Sequence, residues 1–219
     1  VKFAMAQNIP IDIVYPQFCV IPNAPKRYTN MGPAAGEDCT IEFFKFINDY
    51  VKRFYPPGLH FHILADASLY ASAFQTHQAE VDEYYKGVQN RIKALNATYC
   101  VSLYDYAELL REKCPEYMEH YYTIGKKVWG GSIESFVPPS ELPTLRRSIR
   151  CSVNTRRFQL THKDHLSLFG PLEMRNTNHP FYGLVEKMTD IALNEVTTIR
   201  LACSAVNISV VSINSGQEH

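Results

Sequence analysis

The chain has 219 residues, 46% of them hydrophobic and 20% charged, the make-up of a globular protein with a buried core rather than a disordered segment. Lysine plus arginine equals aspartate plus glutamate at 22 each, so net charge selects no partner, and any nucleic-acid contact must come from a local patch. No run approaches the ~20 apolar residues of a membrane span, no secretory leader is recognisable, and the six cysteines form no CxxC pair, so the expectation is a cytoplasmic, membrane-free protein without a disulfide framework.

In chain order, Gln17 to Ile21 is the first predicted strand. Glu37 and Asp38 open a helix from Thr40 to Phe54, whose Ile41, Phe44, Ile47 and Val51 recur at helical spacing. Pro56-Pro57-Gly58 stops it. His60 to Leu64 alternates as a second strand and ends at Asp66. A helix follows over Gln78 to Leu95, then a third strand over Tyr99 to Leu103 and a helix over Tyr106 to Tyr122. Gly130 to Pro143 reads as loop, and the basic stretch Leu145 to Phe158 is compatible with a helix. Phe181 to Glu195 is helical, and Ile199 to Ile213 holds one or two closing strands. Three strand–helix alternations predict an α/β fold: a single Rossmann-like domain over residues 1–219, its mostly parallel sheet flanked by helices.

No GxGxxG follows the first predicted strand, and no GxxxxGK[ST], GxSxG or HExxH occurs, which argues against dinucleotide, P-loop, serine-hydrolase and zincin chemistry. His162 and His165 form a lone HxxH without supporting carboxylates, so no metal is expected there. His60 and His62 alternate on one strand and share a face, which suits packing or hydrogen bonding better than ligation.

Open α/β sheets bind ligands beyond the carboxyl ends of their strands. That rule puts the loop Asn23 to Asn30 and the strand-end Asp66 on one rim. Lys26 and Arg27 are suited to a phosphate or carboxylate, Asn23 and Tyr28 to orienting a carbonyl or amine. Asp66 closes an apolar strand, where a carboxylate is costly unless paired or used. It either anchors an amine or guanidinium or caps the turn begun by Ala67 and Ser68. Glu80, Asp82 and Glu83 sit at a helix start, where the dipole alone accounts for them. Tyr182 and Glu186 stand four apart on one helical face, and a phenol beside a carboxylate can bind an amino group and relay its proton. Arg146, Arg147, Arg150, Arg156 and Arg157 put five guanidiniums in twelve residues. With Arg91 and Lys93 they form either a footprint for a phosphate backbone or a solvated face.

Tyr182-Gly-Leu-Val-Glu186 resembles the YxxxE pair of the tRNA-dependent cyclodipeptide synthases, and the order of elements is similar to theirs. The resemblance implies a Rossmann-like transferase that uses aminoacyl-tRNA as substrate and needs no cofactor or metal. Tyr182 and Glu186 would bind the aminoacyl amine. Asp66, Ser68, Asp82 and Glu83 would hold a side chain, arginine in the fungal branch, and the basic residues would carry the tRNA. That family's nucleophilic serine has no counterpart, because Ser68 is the first serine of the chain.

A second resemblance is local. Pro22 to Gly32 with Lys26 and Asn30, Tyr55-Pro-Pro-Gly58 and Ile63-Leu-Ala-Asp66 are similar to the Pro-rich loop, YxPG turn and strand-end SDG of the isocyanide synthases of pyoverdine and dityrosine biosynthesis. Ala65-Asp66-Ala67 departs from SDG, and Ile199 to Cys203 resembles that family's closing strand. The main expectation is therefore tRNA-dependent synthesis of a cyclic dipeptide. The alternative is an isocyanide synthase or dityrosine-type enzyme using a free amino acid and a sugar-phosphate carbon donor. A third is a tRNA-binding protein without catalysis.

Overall fold

The computed structural model describes residues 1–16, 35–74, 76–153 and 180–208. In chain order these form α1 (Lys2–Gln7), β1 (Ile11–Pro16), α2 (Ala35–Lys52), β2 (Leu59–Ala65), α3 (Ala67–Tyr70), α4 (Gln78–Ala94), β3 (Val101–Asp105), α5 (Tyr106–Lys113), α6 (Tyr117–Gly130), a 3-10 turn (Ile133–Ser135), a helix α7 over 142–153, and α8 (Pro180–Ala205). They fall into two compact units, one of residues 1–16, 35–68 and 77–109, the other of 69–74, 76, 110–153 and 180–208. No helix among the described residues is long and apolar enough to cross a membrane.

The first unit is α/β. Its three strands are parallel in the order β1-β2-β3, as the strand–helix alternation requires. Asp12 faces His60 and Val14 faces His62 across β1 and β2, while His62 faces Ser102 and Ala65 faces Asp105 across β2 and β3. Along β2 every odd-numbered side chain is buried, and those residues meet the helices. Phe44 of α2 stacks on Phe61 at 4.4 Å between ring centroids, and Tyr15 meets Phe44 edge-on at 5.2 Å. Tyr84 of α4 donates to Glu37 of α2 at 2.8 Å, so α2 and α4 cover the same face.

The turn into β2 is built around one glycine. Gly58 has a φ of 75°, and a Cβ there would lie 2.3 Å from Asn48 Oδ1. That oxygen accepts the Leu59 N–H at 2.8 Å, and Asn48 is fully buried. The Pro-Pro-Gly break read from the sequence is thus the residue arrangement that lets α2 hold the start of β2.

The second unit is helical in its described part. α6 packs along α8, and α7 turns Leu145, Ile149 and Val153 inward at four-residue spacing. Val196, Ile199 and Cys203 of α8 are buried at three- and four-residue spacing.

Several boundaries differ from the sequence expectations, each for a physical reason. The first described strand is Ile11–Pro16, whose short apolar–polar alternation is framed by Pro10 and Pro16. The expected strand Gln17 to Ile21 and the loop Asn23 to Asn30 lie outside the described residues. α2 begins at Ala35, placing Glu37 and Asp38 inside its first turn. The helix expected over Tyr106 to Tyr122 is two helices, α5 and α6, separated around Pro115, which cannot donate a helical hydrogen bond. The helix α7 begins inside the expected loop Gly130 to Pro143. The closing strand expected from Ile199 is overturned as far as Ala205, because α8 continues through those residues. Among these residues only Ile199 is β-branched, Leu201, Ala202 and Ala205 favour a helix, and Ile199, Ala202 and Cys203 are buried at helical spacing.

Candidate functional site

The carboxyl edge of the sheet gathers polar groups from consecutive elements. Register brings the ends of β2 and β3 level at Ala65 and Asp105, so Asp66 follows the end of one strand and Asp105 is the last residue of its neighbour. Asp105 caps α5: its Oδ1 accepts the Glu108 N–H at 3.1 Å. Its Oδ2 accepts a hydrogen bond from Ser68 Oγ. Asp66 is half-buried between β2 and α3. Tyr85 of α4 donates to the Leu103 carbonyl at 3.0 Å. Burial first, and then the charge of Asp105, raise its phenol above the ordinary value and keep it a donor. Val81, Tyr84, Tyr85 and Val88 of α4 close an apolar wall against Ala65 and Leu103, leaving a crevice of about 10 Å³.

The structure keeps Asp66 and Ser68 at this rim and adds Asp105 and Tyr85, neither of which was singled out from the sequence. Asp105 carries the same signal that marked Asp66, an acid closing an apolar strand. Ending β3 at Leu103 hid it. Asp82 and Glu83 are on the exposed side of α4, opposite Val81 and Tyr84, and Asp82 accepts from Gln78 at 2.9 Å. Glu80 completes a capping box with His77, accepting its N–H at 2.9 Å.

Two basic residues of α7, Arg146 and Arg150, are occupied. Arg146 reaches Asp190 at 2.7 Å and Glu186 at 3.4 Å, and Arg150 reaches the other Glu186 oxygen at 2.5 Å. Partial burial works against the Arg146 charge, but Asp190 and then Glu186 more than restore it and hold the guanidinium above its ordinary value. Glu186, expected to hold an amine beside Tyr182, instead faces two arginines. Arg147 and Lys93 are exposed, and Arg91 pairs with Asp38 at 3.5 Å. Asn23, Lys26, Tyr28, Arg156 and Arg157 lie outside the described residues, as does the side chain of Tyr182 on α8.

Two further polar clusters emerge. On the sheet face opposite α2 and α4, His60 bonds Ser102 at 2.7 Å and His62 bonds Asp12 at 2.7 Å, with the imidazoles 4.7 Å apart. These histidines share a face and a hydrogen-bonded role, as their alternation implied. Burial, then the neighbouring His62, lower the His60 pKa, against the pull of Asp12. In the second unit the largely buried Glu195 accepts from Ser72 at 2.8 Å and from Tyr121. Burial and that bond push the Tyr121 phenol upward. No group of three or more His, Cys, Asp and Glu side chains among the described residues is arranged to hold a metal ion.

A parallel α/β unit with two acids at adjacent strand ends belongs to the class of folds that handle small ligands at the carboxyl edge of the sheet. The sequence matches the family described as pyoverdine/dityrosine biosynthesis protein over residues 1–169, and the chain belongs to that family. Among solved structures it is similar to the PvcA protein from Pseudomonas aeruginosa, with a TM-score of 0.61 at 13% identity over 94% of this chain and 64% of that one. The likeness is one of fold, and this chain spans less than two thirds of that protein. No curated protein matches the sequence. The family match corrects the main expectation: it favours the isocyanide-synthase or dityrosine-type alternative over tRNA-dependent cyclodipeptide synthesis.

Proposed function

We propose that this protein is a biosynthetic enzyme of the isocyanide-synthase or dityrosine type, acting on the amino group of a free amino acid. The reading is supported by the family match over residues 1–169, and the rim of Asp66, Ser68 and Asp105 carries its chemistry. An amine that attacks a carbonyl must first be held and then lose a proton. Asp66 is assigned to hold the ammonium, and Asp105 to take the proton. Ser68 fixes the Asp105 carboxylate through its hydroxyl, while the Glu108 amide holds the other oxygen. The neutral amine then adds to the carbonyl of a sugar-phosphate donor, and loss of water leaves a C=N bond. Lys26, on the loop after the first predicted strand, is assigned to the donor's phosphate. The occupied arginines of α7 count against a phosphate-backbone footprint there, because Glu186 and Asp190 already neutralise two of them.

The test is to incubate the purified protein with single amino acids and a ¹³C-labelled pentose phosphate, and to read products by mass spectrometry. A labelled isonitrile or N-formyl amino acid is the expected product. Formation of a diketopiperazine from aminoacyl-tRNA, with no product from the free amino acid, would return the cyclodipeptide reading to first place.

A further inference from the structure

The second unit contains a cleft that neither the acid rim nor the ionic cluster uses. Thr197, Arg200 and Leu201 share one face of α8, and Phe136, Val137 and Glu141 form the opposite wall. Between them lies a space of about 220 Å³. Gly131 lets the wall close, since a Cβ there would come within 3.1 Å of the Phe136 ring.

Polar and apolar groups divide the cleft. Thr197 is 2% exposed, and its hydroxyl has no hydrogen-bond partner among the described residues. Buried hydroxyls are nearly always satisfied, so this one marks a position where a bound molecule would supply the missing partner. Arg200 Nη2 and Glu141 Oε2 stand 3.8 Å apart, within ion-pair range but beyond hydrogen-bond distance. A ligand with a carboxylate and an ammonium on one carbon satisfies both, the carboxylate on Arg200 and the ammonium on Glu141. The opposed charges disfavour other classes: Glu141 repels a phosphate dianion and Arg200 repels a simple cation. Phe136, Val137 and Leu201 offer an apolar surface to a side chain. At about 220 Å³ the cleft is smaller than the roughly 300–1,000 Å³ pockets that hold drug-sized molecules.

We propose that this cleft binds a free α-amino acid with an apolar side chain, at a site separate from the Asp66 and Asp105 rim. The inference stands on the cleft and does not require the rim chemistry.

Calorimetric titration with L-phenylalanine tests it. Binding is expected, with phenylacetate and phenethylamine, which each lack one charge, at least about 10-fold weaker. Arg200→Gln and Glu141→Gln should each weaken L-phenylalanine by a similar factor, while Asp105→Asn leaves the cleft's affinity unchanged. Glu141 is solvent-facing and its replacement isosteric, so that variant remains informative if Arg200→Gln fails to fold. Three results would overturn the proposal: no binding of L-phenylalanine, affinity unaltered in a folded Glu141→Gln variant, or tighter binding of inorganic phosphate. Loss of labelled product in Asp105→Asn with cleft binding intact separates the two sites, whichever reading fails.

Discussion

The strand-end rim of the first unit and the α7–α8 ionic cluster of the second both concentrate charged side chains, and both attract notice in the sequence. They use their charges in opposite ways. In the cluster each oxygen of Glu186 faces a guanidinium and Arg146 has Asp190 as a second partner, so two positive and two negative groups cancel. Their side chains are 39–60% exposed, and solvent screens the attraction. At the rim, Asp105 is held among the described residues by a hydroxyl and a backbone amide, with no cation against it. A carboxylate fixed by neutral donors keeps its charge for an incoming ammonium. The difference teaches that a run of like charges in a sequence marks a site only if the fold leaves those charges unspent.

The largest effect expected from this contrast is catalytic. Asp105→Asn should lower the rate of product formation by about 100-fold or more, as removal of a proton-transfer group does. Asparagine caps helices as well as aspartate, so α5 and the melting temperature should be nearly unchanged. A rate equal to the parent's would remove Asp105 from the mechanism.

At the opposite end of β2 the balance reverses. Asn48→Leu strands the Leu59 N–H in a fully buried position and should cost about 1–3 kcal/mol of stability in urea unfolding. The KM of the folded variant should stay constant, because Asn48 supports the strand and not the rim. The ionic cluster comes next. Replacing Arg146 and Arg150 together by glutamine should cost about 1 kcal/mol or less and leave product formation intact. A tenfold loss of activity in that variant would show that the cluster's charges are not spent.

The smallest effect is on pH dependence, from the sheet face beside the rim. The folded state lowers the His60 pKa below the ordinary 6.5, so the unfolded chain takes up its proton first as the pH falls. Stability from this group is complete above about 6.5 and declines as the pH drops towards the lowered folded value. Urea midpoints compared at about pH 7.5 and 5.5 should show a shallower fall for His60→Gln than for the parent. An identical fall would assign the pH dependence to other groups.

Much of the first unit was legible because its signals are local. Hydrophobic spacing located α2, alternation located β2, and Pro-Pro-Gly marked the turn that Gly58 makes. The strand-end rule drew attention to Asp66 and, through the turn that follows it, to Ser68. What escaped depends on partners far along the chain. Asp105 joins Ser68 across 37 residues, and Glu186 meets Arg146 across 40. The stretch Ile199 to Ala205, expected as a strand, continues α8, which packs along α6. Residue types and their spacing settled which segments are periodic and that Asp66 closes a strand, because those properties are carried by neighbours in sequence. Which charges neutralise one another, and which remain at the rim for a ligand, was settled by packing, because pairing energy depends on distance in space and on how much water lies between the groups.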